Sequence, residues 1–226
     1  MARSAEAAGV LVAASAALLA GCTTTQQRDD WLTLKADRVL ESRKPVLVTT
    51  PTRDVVVRRV QLLRGHGTAI VVELENRTQH ELADLPITVG VRAHGHTTYL
   101  NRRARLDYFE THVAVLRHRT TWIFTTPRSV HGRPFAVVGP GGAAGERPAL
   151  QPRAQGARVE VTNTGQVPQY GVPVYGLVRR NGRIVAAGRA TVDELDEGAS
   201  AGVVLKLIGS PGGTPPALEA QPTIPR

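Results

Sequence analysis

Cysteine is nearly missing from this chain: of 226 residues, only Cys22 carries a thiol. That excludes an intramolecular disulfide and any multi-cysteine metal centre. Aromatic residues make up only 4% of the sequence, few for the base-stacking platforms of nucleic-acid binders. Lysine occurs only as Lys35, Lys44 and Lys206, so the net charge of +9 is nearly all arginine. The arginine accompanies abundant alanine, glycine and proline, a compositional bias, so basicity alone is no functional signal. Catalytic motifs are lacking too. There is no Gly-x-Ser-x-Gly, and Ser129 and His131 share a Pro- and Gly-rich loop with no evident acid partner. Gly139-Pro140-Gly141-Gly142 has neither the lysine nor the strand-to-helix setting of a phosphate loop. Asp193, Glu194, Asp196 and Glu197 read as a solvated acidic turn. The expectation is a non-enzyme with no catalytic residues and no cofactor.

One apolar run is present, VLVAASAALLAGC at residues 10–22. It suits the h-region of an export signal and is too short to span a bilayer, which takes roughly 20 residues. Its end, Leu19-Ala20-Gly21-Cys22, resembles the lipobox of bacterial lipoproteins. The resemblance implies cleavage before Cys22, lipidation of its thiol, and an extracytoplasmic protein anchored to a bacterial membrane. Which membrane of a two-membrane cell it would be stays open. A blue-copper site needs a cysteine ligand, and this one is spent on the anchor. The polar TTTQQRDD, residues 23–30, reads as a tether of at most roughly 28 Å. Residues 29–42, DDWLTLKADRVLES, are the one helical candidate, with Asp29 or Asp30 as cap.

The chain contains a repeat. VELENRTQHELADLPITVGVRAHG, residues 72–95, aligns with VEVTNTGQVPQYGVPVYGLVRRNG, residues 159–182, at an offset of 87. Asn163, Pro173 and Gly182 are the firmest counterparts, opposite Asn76, Pro86 and Gly95. Downstream, PGG at 140–142 and PAL at 148–150 echo 211–213 and 216–218. Each repeat reads as short strands. In GTAIVVELEN, Ile70, Val72 and Leu74 alternate with Val71, Glu73 and Glu75, the pattern of a half-buried strand. Short strands separated by Gly, Pro and Asn turns predict antiparallel β-sandwiches.

Asn163-Thr164-Gly165, the strand Val172–Arg180, the turn Asn181-Gly182 and Leu195-Asp196-Glu197-Gly198-Ala199-Ser200 together resemble the immunoglobulin-like modules of bacterial surface proteins. The likeness is to the FxLYD and adhesion-type modules, with Tyr175-Gly176-Leu177 near the eponymous motif and Glu197 where proline is usual. In the first repeat Thr78 replaces the glycine. The resemblance implies an all-β chain of two tandem immunoglobulin-like sandwiches. The expected organisation is a signal peptide at 1–21, tether and short helix at 22–45, and sandwiches at 46–152 and 153–226.

All seven histidines lie between His66 and His131, and His94-Gly95-His96 has a metal-ligand spacing. At the offset of 87, however, His94-Gly95 lies opposite Asn181-Gly182, a strong hairpin signal. A turn is therefore expected in place of a metal site. Residues 53–138 hold 13 arginines against 7 acids, whereas residues 157–210 hold 6 cations against 5. Arg102, Arg103 and Arg105 form one cluster and Arg117 and Arg119 another, candidates for contact with an anionic surface. The expected function is a non-catalytic binding or structural module of the cell envelope, its second domain presented farther from the tether. Its partners would be the membrane through the anchor, and an envelope protein or anionic wall polymer, with no nucleic acid. The alternative is a metal- or small-ligand-binding lipoprotein using the histidines of the first domain.

Overall fold

The computed structural model describes residues 24–155 and 158–225. The lipobox-like Leu19, Ala20, Gly21 and Cys22 lie outside the described residues.

Helix α1 (Thr25–Glu41) starts earlier than expected. Its cap is Thr24, not Asp29 or Asp30. Thr24 Oγ1 accepts from the Gln27 backbone N–H at 3.2 Å, and Gln27 Oε1 accepts from the Thr24 N–H at 3.1 Å. This reciprocal pair satisfies two of the donors that a helix start leaves open. Residues 25–30 are thus helix and not extended tether, spanning about 9 Å at 1.5 Å per residue. Among the described residues, no helix is long and apolar enough to cross a membrane.

The rest is all-β and antiparallel. The first half contains β1 (Val55–Gly65), β2 (Gly67–Asn76), β3 (Leu82–Ala93), β4 (His96–Tyr99), β5 (His112–Leu116), β6 (Arg119–Thr126), β7 (Arg133–Val138) and β8 (Gly142–Ala143). The second contains β9 (Leu150–Gln155), β10 (Arg158–Asn163), β11 (Gln169–Arg180), β12 (Arg183–Leu195), β13 (Ser200–Val204), β14 (Ile208–Gly209) and β15 (Ala217–Ala220). In the first half, β1-β2-β6 faces a sheet built around β3, which pairs with β4, β5, β7 and β8. In the second, β9-β10-β13 faces β14-β12-β11-β15. Since β9 begins at Leu150 and pairs with β10, the expected boundary at 152 falls inside a strand of the second half. Residues 144–149 make the connection.

The halves are stacked, not strung out. Ile70, Val72 and Trp122 face the first half's interior, while Val71 and Ile123, pointing the other way, are also fully buried. Strands β12 and β14 cover that outer face. One apolar core therefore runs from Leu85 and Val113 through Val71 and Ile123 to Tyr175, Ile184 and Ile208. A smaller core, with Val161, Val172 and Leu195, lies between the second half's own sheets. Burying a Val or Ile side chain contributes roughly 1.5–3 kcal/mol, so the outer face of β2 and β6 ties the halves together. Gln61 Nε2 donates to Ile184 O at 2.8 Å, and Arg179 pairs with Glu73 across the same junction. The expected half-buried β2 is corrected for its tip-proximal part, which is covered on both faces.

The repeat is structural. Strands β3 and β11 begin and end at the offset of 87. His94 and Gly95 take φ 50 and φ 78, and Asn181 and Gly182 take φ 50 and φ 73, both as hairpin turns. The downstream echo is not equivalent. Gly139 N donates to Pro86 O and Gln221 N to Pro173 O, which sets residue 139 opposite 221. PGG at 140–142 follows β7, whereas PGG at 211–213 precedes β15, the strand that corresponds to β7. The long β12 is split in the first half into β4 and β5 by residues 100–111, which carry a short 3-10 helix, Tyr108–Glu110.

Candidate functional site

The two arginine clusters expected at the surface differ. Arg117 pairs with Glu81 and Arg119 with Glu75, each at 3.5 Å. Glu75 also takes two hydrogen bonds from Arg58, at 2.6 and 2.7 Å. Those bonds, with the nearby positive charges, hold its carboxyl below the usual range. Each arginine of this cluster thus has a carboxylate partner. Arg102, Arg103 and Arg105 are exposed on the insert and make no ion pair among the described residues. The Arg105 backbone N–H donates to Ser42 O at 2.8 Å, fastening the insert to the end of α1.

His94 and His96 are exposed at and beside the β3–β4 turn. Among the described residues, no three His, Cys, Asp or Glu side chains gather where a metal ion could be held. His112 is different in kind: it is 7% exposed and stacked on Tyr108 at 4.0 Å. Burial lowers its pKa, opposed by the backbone of Tyr108, and burial raises that of Tyr108.

Two depressions are candidates for a site. The first, about 330 Å³, lies where α1 meets both halves. Its polar groups serve the fold. Lys35 sits 4.2 Å over the Tyr170 ring and 3.9 Å from Glu194. Asp107 accepts from Arg189 at 3.0 Å and from Thr191 at 2.7 Å. Arg38, 8% exposed, spans Tyr108 and Phe109 and donates to Asp84 at 3.1 and 3.2 Å. The helix thus touches both halves, so the second half is not carried beyond the first as expected.

The second depression, also about 330 Å³, lies at the end of the first half away from Asn76. It is walled by Thr98, Tyr99 and Arg103 on one side and by Arg128, Ser129 and His131 on the other. The ladder explains why these meet. Arg64 pairs with Thr68, Thr68 with Thr126, and Arg92 with Arg133, so the β1–β2 tip, the β6–β7 loop and the β3–β4 tip share one end. That end gathers Arg64, Arg92, Arg128 and Arg133 with His66, His94, His96 and His131. The acids lie elsewhere. On β2 the first is Glu73, six residues or about 20 Å from Gly67. On β3 it is Asp84, nine residues or roughly 30 Å from Ala93. Both distances exceed twice the Debye length of about 8 Å at physiological ionic strength. Asp107 and Glu110, in the insert, are engaged by Arg189, Thr191 and the 3-10 cap.

The sequence shows the excess of arginine but not this grouping. The residues come from three separate segments, and only the ladder register brings them together. No family model matches the chain, and no curated protein matches it.

Proposed function

We propose that the protein is a lipid-anchored, non-catalytic binding module of the bacterial cell envelope, built from two immunoglobulin-like sandwiches and making its contacts through the arginine-rich end of the first. The observation that carries this reading is the segregation of charge. Arg117 and Arg119 are paired with carboxylates at one end, while β2 carries no acid for about 20 Å from the opposite end, where arginines gather from separate segments. An uncompensated field of this kind raises the local concentration of an anionic partner and speeds its capture.

The anchor rests on Leu19-Ala20-Gly21-Cys22 and on Cys22 being the sole cysteine. The α1 capping box begins at Thr24, two residues after Cys22 in sequence, which supports a body held close to the membrane surface. The lipidation implied by the lipobox would attach more than one acyl chain. One buried chain binds a membrane only marginally, whereas two or more hold stably.

The test is metabolic labelling of cells with radiolabelled palmitate, followed by membrane fractionation, for the native chain and Cys22→Ala. The expected result is label and membrane retention in the native chain, both lost in Cys22→Ala. Retention without label, unaffected by the substitution, would overturn the anchor.

A further inference from the structure

We propose that the cleft between β4 and the β6–β7 loop is a binding site for a phosphate group, carried as an ester on an envelope polymer or a lipid headgroup. This names the ligand of the binding module and rests on that reading. The cleft is lined by two arginines, Arg103 and Arg128, from separate segments, together with His131 and the hydroxyl-bearing Thr98, Ser129 and Tyr99. Guanidinium groups match the two non-bridging oxygens of a phosphodiester in a pair, and hydroxyl donors can serve its ester oxygens, which a carboxylate does not have.

The loop carrying Arg128, Ser129 and His131 is built, not merely present. Thr68 Oγ1 donates to Arg128 O at 2.8 Å and accepts from Val130 N at 3.0 Å. Arg64 Nε donates to Val130 O at 3.1 Å. Gly132, at φ 127, lets the loop close against β3: a Cβ there would lie 2.8 Å from Arg92 O. On the opposite wall, Tyr99 meets Phe135 edge-on at 5.9 Å and Arg92 lies 4.7 Å over Phe135. Tyr99 is still 38% exposed, leaving apolar surface beside the charged groups for the organic part of an ester. A loop fixed before binding has less conformational freedom to lose when the ligand arrives.

The experiment uses the full chain purified in a neutral detergent and titrated with labelled poly(glycerol phosphate). Micelles doped with phosphatidylglycerol form a second arm, and polyglutamate of equal charge a third. The expected result is binding to a phosphate probe, weakened at least tenfold by Arg103→Gln with Arg128→Gln. Arg117→Gln with Arg119→Gln should change it less than twofold. Preference for the polymer or for the doped micelles identifies which source the site takes, and either supports it. Equal binding to polyglutamate, with both double variants equally affected, overturns the site and leaves only a basic surface. No binding to any phosphate probe by a protein with unchanged far-UV circular dichroism overturns it as well. In that case a partner cross-linked in cells through this end would leave the binding-module reading standing. Phosphate binding in vitro without any cellular partner would do the reverse.

Discussion

Asp84 and Gly171 stand 87 residues apart in sequence and hold the same left-handed backbone, at φ 53 and φ 61. Each occupies the irregular position of its strand, between Ala83 and Leu85 in β3 and between Tyr170 and Val172 in β11. Glycine takes this conformation freely, whereas aspartate is one of the few other residues found there. The first half accepts that strain and gains a carboxylate. It meets Arg38 of α1 at 3.1 Å and Arg147 of the connection at 3.7 Å, two side chains only 10% and 5% exposed. One residue thus holds the helix and the joint between halves to the same strand. Asp84→Gly keeps the backbone but strands two buried cations, a loss of about 3–5 kcal/mol less about 1 for relieved strain. Urea unfolding followed by tryptophan fluorescence should show a net loss of about 2–4 kcal/mol.

Asn76 and Asn163 are the second repeated device. Each buried amide donates to a carbonyl four residues on, His80 O at 2.7 Å and Val167 O at 2.8 Å. Each side-chain oxygen accepts from the backbone N–H two residues on, Thr78 at 2.8 Å and Gly165 at 3.0 Å. Removing such a group costs about 1–3 kcal/mol for the partners left unpaired. Asn163→Ala should therefore destabilise by about 2 kcal/mol. Because the core is continuous, the buried Trp122 of the other half should report the full shift in a single transition. Two separate transitions would contradict the stacking.

Asp107 joins the insert to the second half. Asp107→Ala leaves the Arg189 guanidinium buried without its counter-charge, which costs about 3–5 kcal/mol. Adding Arg189→Leu should recover part of that loss. A thermal melt of the single and double variants checks the order.

Stability should fall in mild acid because of His112. Its folded pKa lies below the ordinary value, chiefly through burial, partly offset by the Tyr108 carbonyl and by Asp84 and Glu41, with Arg38 lowering it further. The unfolded chain then binds the extra proton more readily. The contribution is complete above the ordinary histidine value of about 6.5 and shrinks as pH falls toward the lower folded value. His112→Gln should flatten that part of the stability–pH curve in urea titrations between about pH 7 and pH 5.

The sequence made some of this legible and hid the rest for physical reasons. Asn163, Pro173 and Gly182 sit where backbone geometry demands particular residue types, so the offset of 87 survived and the His94 turn was readable from it. The insert at 100–111 was not, because a strand cut in two leaves no periodic trace. The stacked halves were hidden as well. Glu73 and Glu75 give β2 an alternating look, while the covered outer face shows only as Val71 and Ile123, two residues in different strands. The PGG and PAL words misled because short turn-forming stretches recur without equivalence. The basic end depends on ladder register, which charge counts along the chain do not contain.

Whether an anchored body makes its contacts through the arginine-rich end can be read by photo-cross-linking in intact cells. A benzophenone side chain replaces Tyr99 in one strain and Arg153, exposed on the outermost sheet, in another. A discrete adduct is expected from position 99, at least several-fold stronger than from position 153 and lost when Cys22→Ala is added. Equal adducts from both positions, or an adduct from 153 alone, would contradict it.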